Sequence, residues 1–308
     1  MGTNGNMIFA QDEEFWDNYL KGRPKAPDAF FDRVFTYHAT HSGAFGTVHD
    51  VGAGNGPYSQ RLRSKFSHVI VSDIVPANVE LARARLRGLD GFSFRTAKLE
   101  DADDIPAGSV DMVFATSVMH FPDPQEAAME AIARQLRPGG TFAAATFGPA
   151  RFRDTDLQDL WDRISLEGGR RLLGSVDDPA TTAKSMARTQ GRYNVAPLGP
   201  ELFAPGAQRV HLNMRHGGIQ AILPPEAAHL NTDPDFTGPD DVEIFEEEEG
   251  WGFEMDLAGV KEHFGSFPFV SKFPDAFTEL YRDLDALLAD GRRVGGYFPA
   301  KIILATRR

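Results

Sequence analysis

Three glycines in alternate positions are the feature of this sequence best suited to binding a ligand. They lie in the run HDVGAGNG at residues 49–56, between an apolar segment and an amphipathic one. Glycine is needed where the backbone approaches a ligand closely or adopts a positive φ. The spacing G-x-G-x-G differs from the G-x-G-x-x-G of dinucleotide-binding folds, because position 57 is proline. The run therefore predicts a ligand-binding turn that is not built for the pyrophosphate of NAD.

Acidic and apolar residues after the next two predicted strands extend this site. Asp73 ends the second strand, where a carboxylate can accept hydrogen bonds from both hydroxyls of a ribose. The G-x-G-x-G glycines with Asp50, two residues before the first, form the pattern of S-adenosylmethionine (SAM) binding, since SAM brings an amino acid and no phosphate, and Asp73 strengthens this interpretation. Ile74 offers an apolar face for adenine, and the 98–101 loop, with Leu99 and Glu100, can contact the adenine edge. A structural alternative stays open, in which Asp73 caps a turn and Glu100 is a plain loop acid.

A histidine lies at a second position suited to chemistry. His120 follows the fourth predicted strand, at the carboxyl edge where doubly wound folds bind ligands. A neutral imidazole there can act as a general base or orient a substrate, and Phe121 beside it can contact that substrate. The structural alternative is a histidine whose hydrogen bonds hold the loop.

An aromatic and basic group precedes the glycine run. Trp16, Tyr19 and Arg23 can close over the bound ligand or the substrate, and the alternative is that they belong to the core. His38 and His41 have the spacing of metal ligands on a helix, but no carboxylate stands in register with them. No metal site is therefore predicted.

The elements that position these residues alternate between residues 47 and 148. Short β-branched or apolar runs begin near residues 47, 68, 92, 110 and 141, and helical periodicity fills the intervals. Such alternation predicts right-handed crossovers and a parallel sheet covered on both faces. From 149 to about 241 the rhythm gives way to a helix and a loop-rich stretch, which predicts a lid or a substrate pocket. The sheet pattern resumes at 252–256, followed by a helix at 277–288 and a final strand at 300–305.

The charge balance and the absence of cysteine argue against several classes of function. Lys and Arg total 32 against 44 Asp and Glu, so the net charge of −12 argues against binding nucleic acid or an anionic membrane. The absence of cysteine excludes disulfides, thiolate nucleophiles and Cys-ligated zinc. No stretch reaches the roughly 18 apolar residues that span a bilayer. We expect a cytoplasmic protein that acts on a small molecule, and the sequence leaves its oligomeric state open.

The core resembles a class I SAM-dependent methyltransferase of the small-molecule type. Asp50–Gly56 is similar to the first family motif, Asp73 to the second and Leu99-Glu100-Asp101 to the third, while residues 108–113 and 136–141 are similar to the segments before strands four and five. These matches cover about a third of the chain. The segment Tyr19–Pro24 is similar to the Y-x-x-x-R-P of trans-aconitate methyltransferase-like proteins. Phe121 stands where that group has tryptophan, and Lys98 where relatives often have an acid near adenine.

The resemblance implies a fold and a set of contacts. The fold is α/β and Rossmann-like, with a seven-stranded, mostly parallel sheet, helices on both faces, and an insertion between strands five and six that forms a lid. Its parts are an N-terminal helical cap (1–46), a SAM-binding core (47–148), the lid (149–241) and a C-terminal completion of the sheet (242–308). The implied cofactor contacts are Tyr19, Arg23, Asp50, Gly52, Ala53, Gly54, Gly56, Asp73, Ile74, Leu99, Glu100, Thr116 and Ser117. Trp16, His120 and Phe121 are the implied substrate contacts, with His120 also catalytic.

The resemblance also implies a reaction. We expect methyl transfer from SAM to a small-molecule acceptor, most naturally to an oxygen of a carboxylate or hydroxyl, with S-adenosylhomocysteine as the second product. An alternative is a methyltransferase-like protein that holds SAM while its pocket catalyses a cyclisation or rearrangement. A further alternative is a non-catalytic interaction module, which the intact glycines and Asp73 argue against.

Overall fold

A computed structural model of the chain describes residues 13–41, 43–214 and 217–308. Residues 1–12 of the predicted N-terminal cap lie outside this description. Ten α-helices are present within it, and three short 3₁₀ turns accompany them. The helices are α1 (Glu13–Gly22), α2 (Asp28–His41), α3 (Ser59–Arg63), α4 (Pro76–Arg85), α5 (Gln125–Gln135), α6 (Thr155–Leu173), α7 (Pro179–Arg188), α8 (Leu257–Gly265), α9 (Pro268–Lys272) and α10 (Thr278–Leu287).

A main sheet of eight strands forms the centre of the fold. Its strands are β1 (Thr47–Val51), β2 (His68–Asp73), β3 (Phe92–Thr96), β4 (Val110–Thr116), β5 (Leu136–Phe147), β7 (Gln208–Leu212), β8 (Val242–Glu246) and β11 (Ala300–Thr306). They lie in the order β3-β2-β1-β4-β5-β11-β7-β8. β11 runs antiparallel to both β5 and β7, and every other neighbouring pair is parallel. The predicted doubly wound, mostly parallel sheet is thus confirmed.

The strand number is a correction, because the sheet has eight strands where seven were expected. β7 lies inside the 149–241 segment, so this segment supplies a strand of the main sheet as well as the helices α6 and α7. β8 pairs with β7 and forms the edge strand on that side of the sheet. Neither strand is marked by an apolar run, because β7 buries Arg209 and His211 on one face and β8 is largely exposed.

A second, three-stranded sheet is a feature that the sequence reading missed. It contains β6 (Arg151–Phe152), β9 (Gly252–Met255) and β10 (Val294–Tyr297), and β10 pairs antiparallel with both of the others. The strand predicted at 252–256 belongs here and not to the main sheet. This small sheet joins the start of the lid segment to the C-terminal part of the chain.

The core has two layers, one on each face of the main sheet. Along β11, Ile302 and Leu304 point into the layer that contains α2 and α6, while Ile303 and Ala305 point into the layer that contains α5 and the lid segment around Tyr193. This alternation is the side-chain period of a strand buried on both faces. In the described part of the chain, no helix combines the length and the apolar character needed to cross a membrane.

Candidate functional site

The glycine turn directly follows β1 and is closely covered. Gly52, Gly54 and Gly56 have φ values of 60°, 56° and 71°, a region that favours glycine. A Cβ atom on Gly52 would lie 2.2 Å from Cγ2 of Val118, and one on Gly54 would lie 2.3 Å from Cη2 of Trp16. The turn therefore needs glycine both for its backbone conformation and for the side chains that press on it.

Asp73 is brought from the end of β2 to this turn. Its Oδ2 accepts a hydrogen bond from the Gly54 amide (2.9 Å), and its Oδ1 accepts from the Val75 amide (2.9 Å) and from Nδ2 of Asn78 (3.2 Å). The carboxyl group is buried, and burial raises its pKa. Beside it, Ile74 is 56% exposed, so a carboxylate and an open apolar side chain stand together as a ribose and an adenine require.

The other acids of the predicted site are placed differently. Asp50 is fully buried and accepts a hydrogen bond from the Ser59 hydroxyl (2.6 Å), and burial raises its pKa to about 7. This bond joins β1 to the start of α3, and the role of Asp50 as a cofactor contact stays a prediction. Leu99 is buried and Glu100 is half-buried in the loop after β3.

Helix α1 covers the glycine turn through Trp16. The ring of Trp16 lies over Gly54, and Tyr19 packs edge-on against it with ring centroids 5.3 Å apart. The Arg23 guanidinium lies against two rings, 4.9 Å from the centre of the Tyr19 ring and 3.7 Å from that of Phe267, and it donates to the Ser266 carbonyl (3.4 Å). The Trp16 ring thus lies against the glycine turn, and its role as a substrate contact stays a prediction.

The loop after β4 places His120. Thr116 ends the strand, and Ser117 has a φ of 55° while its amide donates to the Ala145 carbonyl (2.7 Å). His120 is 8% exposed, and its Nδ1 has no hydrogen-bond partner among the described residues. Burial and the positive charge of Arg188 lower its pKa to about 3, so the imidazole is neutral at physiological pH. The exposed ring of Phe121 packs against the His120 ring at a centroid distance of 4.0 Å.

An arginine of the lid segment holds this loop. Arg188, at the end of α7, donates to the Pro122 carbonyl (2.6 Å) and to Asp123 (3.0 Å), and it also pairs with Asp233. Lys184 adds an ion pair to Asp123 (3.1 Å). Hydrogen bonds and ion pairs therefore connect α7 to the loop that carries His120.

Several polar residues of the site escaped the sequence reading. They are Asn55, whose buried Oδ1 has no partner among the described residues, together with Asn78, Arg188 and Tyr193. Only Asn55 lies within a recognisable motif; the other three come together through tertiary contacts that leave no local pattern.

The described residues fit SAM and provide no metal cluster. The glycine turn offers backbone to the amino acid part, Asp73 and Ile74 suit the adenosine part, and the orphaned Asn55 Oδ1 can accept from an ammonium group. Both ring nitrogens of His38 are bonded, one to Thr141 (2.8 Å) and the other to the Ala44 carbonyl (2.7 Å). No group of three or more His, Asp or Glu side chains in the described ranges is arranged to hold a metal ion.

Comparisons with known proteins identify methyltransferases. A methyltransferase domain family matches residues 49–144. The methyltransferase tpcM of Aspergillus fumigatus is 58% identical over 303 residues, covering 98% of this chain and 94% of that protein. The methyltransferase AacuQ of Aspergillus aculeatus is 59% identical over 306 residues, covering 99% and 97%. Among solved structures, a putative type II methyltransferase from Anaeromyxobacter dehalogenans has the same fold, with a TM-score of 0.53, 20% identity and coverage of 92% and 97%.

Proposed function

Because this chain belongs to the SAM-dependent methyltransferases, we propose that it methylates an oxygen atom, in a hydroxyl or a carboxylate, of a small molecule. The observation that carries this proposal is the buried, neutral imidazole of His120, with Nδ1 unpaired among the described residues, at the carboxyl end of β4. When bound, SAM supplies a methyl group already activated by the sulfonium charge. The protein has only to position an acceptor and exclude water.

The protonation state of His120 suits a hydroxyl acceptor. Burial and Arg188 lower the pKa of His120, so its imidazole stays neutral and can accept a hydrogen bond from a hydroxyl. A small molecule, not a nucleic acid, also suits a protein of net charge −12.

The proposed step makes His120 the group that accepts the proton of a hydroxyl acceptor. The acceptor oxygen bonds to the methyl carbon while the carbon–sulfur bond breaks and its electron pair stays on sulfur. A hydroxyl acceptor donates a hydrogen bond to Nδ1 of His120, which takes the proton late, when bond formation has made that oxygen strongly acidic. A carboxylate acceptor has no proton to lose, and His120 then only orients it.

The remaining contacts are part of the proposal. The glycine turn, Asp73 and Ile74 hold the cofactor, with the 99–100 loop at the adenine and Thr116 and Ser117 at the end of β4. Tyr19 contributes from α1, and Arg23, which contacts Ser266 and Phe267 between α8 and α9, stays a predicted cofactor contact. Phe121 contacts the acceptor. The division into cap, core, lid and C-terminal parts, and a cytoplasmic location, remain predictions.

The test uses SAM labelled with ¹³C in the methyl group and a set of phenols, carboxylic acids, amines and thiols. We expect O-methyl products by NMR and mass spectrometry, together with an equal amount of S-adenosylhomocysteine. His120→Gln is expected to lower kcat for hydroxyl acceptors by about 10²- to 10⁴-fold, and His229→Gln, at an exposed lid histidine, to leave it unchanged. Label found only on nitrogen, sulfur or carbon would overturn the assignment to oxygen.

A further inference from the structure

Two buried polar groups from different parts of the chain meet in the acceptor region without partners. The ring of Tyr193, in the lid, lies 6.3 Å from the ring of His120 at an interplanar angle of 66°. Both residues are nine-tenths or more buried. Neither the Tyr193 hydroxyl nor Nδ1 of His120 has a hydrogen-bond partner among the described residues. A buried polar atom left unpaired costs free energy, so two of them together indicate a ligand that satisfies both.

The backbone at Tyr193 is strained. Tyr193 has a φ of 50°, and Ala196 in the same loop has a φ of 61°, values that residues other than glycine rarely adopt. The Met119 carbonyl, which is close enough to the Tyr193 phenol to oppose the rise in its pKa, accepts a hydrogen bond from Nε2 of Gln125 (2.5 Å). Oε1 of the same glutamine accepts from the Ala196 amide (2.8 Å). Gln125 therefore links the segment that carries Tyr193 to the His120 loop.

The two groups offer complementary hydrogen bonds. Burial raises the pKa of Tyr193, so its phenol stays protonated and donates. The neutral imidazole of His120 can accept. Tyr193 also lines a cavity of about 210 Å³ between segments 187–195 and 231–236, which gives space for a part of the ligand that does not react.

From this arrangement we propose that Tyr193 is an acceptor-binding residue that selects molecules carrying a second oxygen. It donates a hydrogen bond to a carbonyl, carboxylate or further hydroxyl oxygen, while His120 accepts from the hydroxyl that is methylated. The inference rests on the proposed function, because it concerns the same acceptor. The aromatic rings of Phe121 and Tyr193 at the site suit an acceptor that is itself a ring compound.

Calorimetry on the enzyme loaded with S-adenosylhomocysteine tests this proposal with defined probes. The probes are the ortho, meta and para isomers of hydroxyacetophenone and of ethylphenol, which match in shape but differ in the carbonyl oxygen. We expect at least one hydroxyacetophenone to bind about tenfold more tightly than its ethylphenol counterpart, and Tyr193→Phe to abolish that preference. Equal affinities within every pair, including no measurable binding of any probe, would overturn the proposal.

Tyr37→Phe is the matched control, because the Tyr37 hydroxyl is bonded to Thr306 (3.0 Å). It should leave the preference intact and lower the melting temperature, whereas Tyr193→Phe should not lower it, since its hydroxyl has no partner to lose. A stability loss in Tyr193→Phe equal to that in Tyr37→Phe would mean that the phenol is bonded within the protein, and would also overturn the proposal. The binding and melting measurements need no turnover. Failure of this proposal can therefore be distinguished from failure of the proposed O-methylation.

Discussion

Trp16 donates a hydrogen bond from its indole Nε1 to Oδ1 of Asn78 (2.8 Å), and Nδ2 of Asn78 in turn donates to Asp73. Trp16 lies in α1, whereas Asn78 lies in the first turn of α4, so the bond joins the cap to the cofactor core. The side chain that covers the glycine turn is thereby linked to the carboxylate proposed to hold the ribose.

Trp16→Phe keeps an aromatic ring over Gly54 but removes this link. The buried Oδ1 of Asn78 loses its donor, so we expect the free energy of unfolding to fall by about 1–3 kcal/mol and the affinity for S-adenosylhomocysteine to fall several-fold. Urea unfolding and calorimetry measure the two effects. Trp251→Phe is the control, because its indole donates to Glu248 away from the glycine turn. A control that weakens cofactor binding as much as Trp16→Phe would show that the link to Asn78 has no special role.

Asp73→Asn tests the proposed ribose contact. Loss of a charged acceptor is expected to weaken binding of both SAM and S-adenosylhomocysteine by about 10- to 100-fold in a calorimetric titration, while NAD gives no binding in either protein. Asp104→Asn removes an exposed carboxylate paired with Arg95 and should leave the titration unchanged. Unaltered binding by a folded Asp73→Asn protein would mean that Asp73 only caps the turn before α4.

Gly52→Ala, compared with Gly88→Ala, distinguishes a steric clash with Val118 from backbone strain. Gly52 and Gly88 both have positive φ, but an added Cβ meets Val118 at the first position and nothing within 4 Å at the second. Gly88→Ala should cost about 1–2 kcal/mol of stability through strain alone. Gly52→Ala should cost more and also reduce methyl transfer, because Val118 shares the loop with His120. Equal losses in the two variants, measured by urea unfolding, would contradict the close approach.

Arg188→Met tests the connection between the lid and the His120 loop. Removing a buried guanidinium leaves Asp123 and Asp233 without their main partner, so we expect a loss of about 3–5 kcal/mol in unfolding free energy and of most activity. Lys184→Met removes a more exposed partner of Asp123 and should cost at most about 1 kcal/mol. If the two variants prove equally stable, Arg188 does not clamp the loop.

His263 predicts sensitivity to acid. Its Nε2 accepts from the Ala150 amide (3.0 Å), so Nδ1 carries the hydrogen and donates to the Gly22 carbonyl (2.7 Å). Burial lowers its pKa to about 3, whereas the unfolded chain takes up the proton near pH 6.5. Its contribution to stability is therefore lost as pH falls from about 6.5 towards 3, at about 1.4 kcal/mol per pH unit.

Urea unfolding at several pH values checks this dependence. His263→Gln should make the curve shallower between pH 6 and 4, and His229→Gln, at an exposed position, should not. A curve of unchanged slope for His263→Gln would show that this histidine takes up no extra proton on unfolding.

The sequence was most informative where a function or an element is encoded by neighbouring residues. The glycine turn, the acid at the end of β2 and the final strand β11 each show a local pattern, and the structure has the turn and both strands where they were expected. β7 was not recognised because its buried face carries Arg209, which bonds to the Val195, Ala196 and Phe236 carbonyls. A strand that buries an arginine in this way lacks the apolar alternation by which strands are found.

The polar contacts of the acceptor region were hidden for a different reason. Arg188 and Tyr193 are separated from His120 by about 70 residues of chain. Their importance depends on whether their polar atoms have hydrogen-bond partners in the folded protein. Burial and hydrogen-bond satisfaction are properties of the folded molecule. No spacing within a single segment reports them.

The position of β11 sets the order in which the molecule can be assembled. Within the described residues, β7 pairs only with β8 and β11, so both strands reach the rest of the sheet through residues 300–306. During synthesis, strands β1 to β5 can therefore collapse early around the glycine turn, but the lid-side strands must wait until β11 has left the ribosome. The cofactor half of the site is thus available to form well before the acceptor half. A nascent chain that stops short of residue 300 leaves the edge of β5 open, as a surface that a chaperone or another chain can pair with.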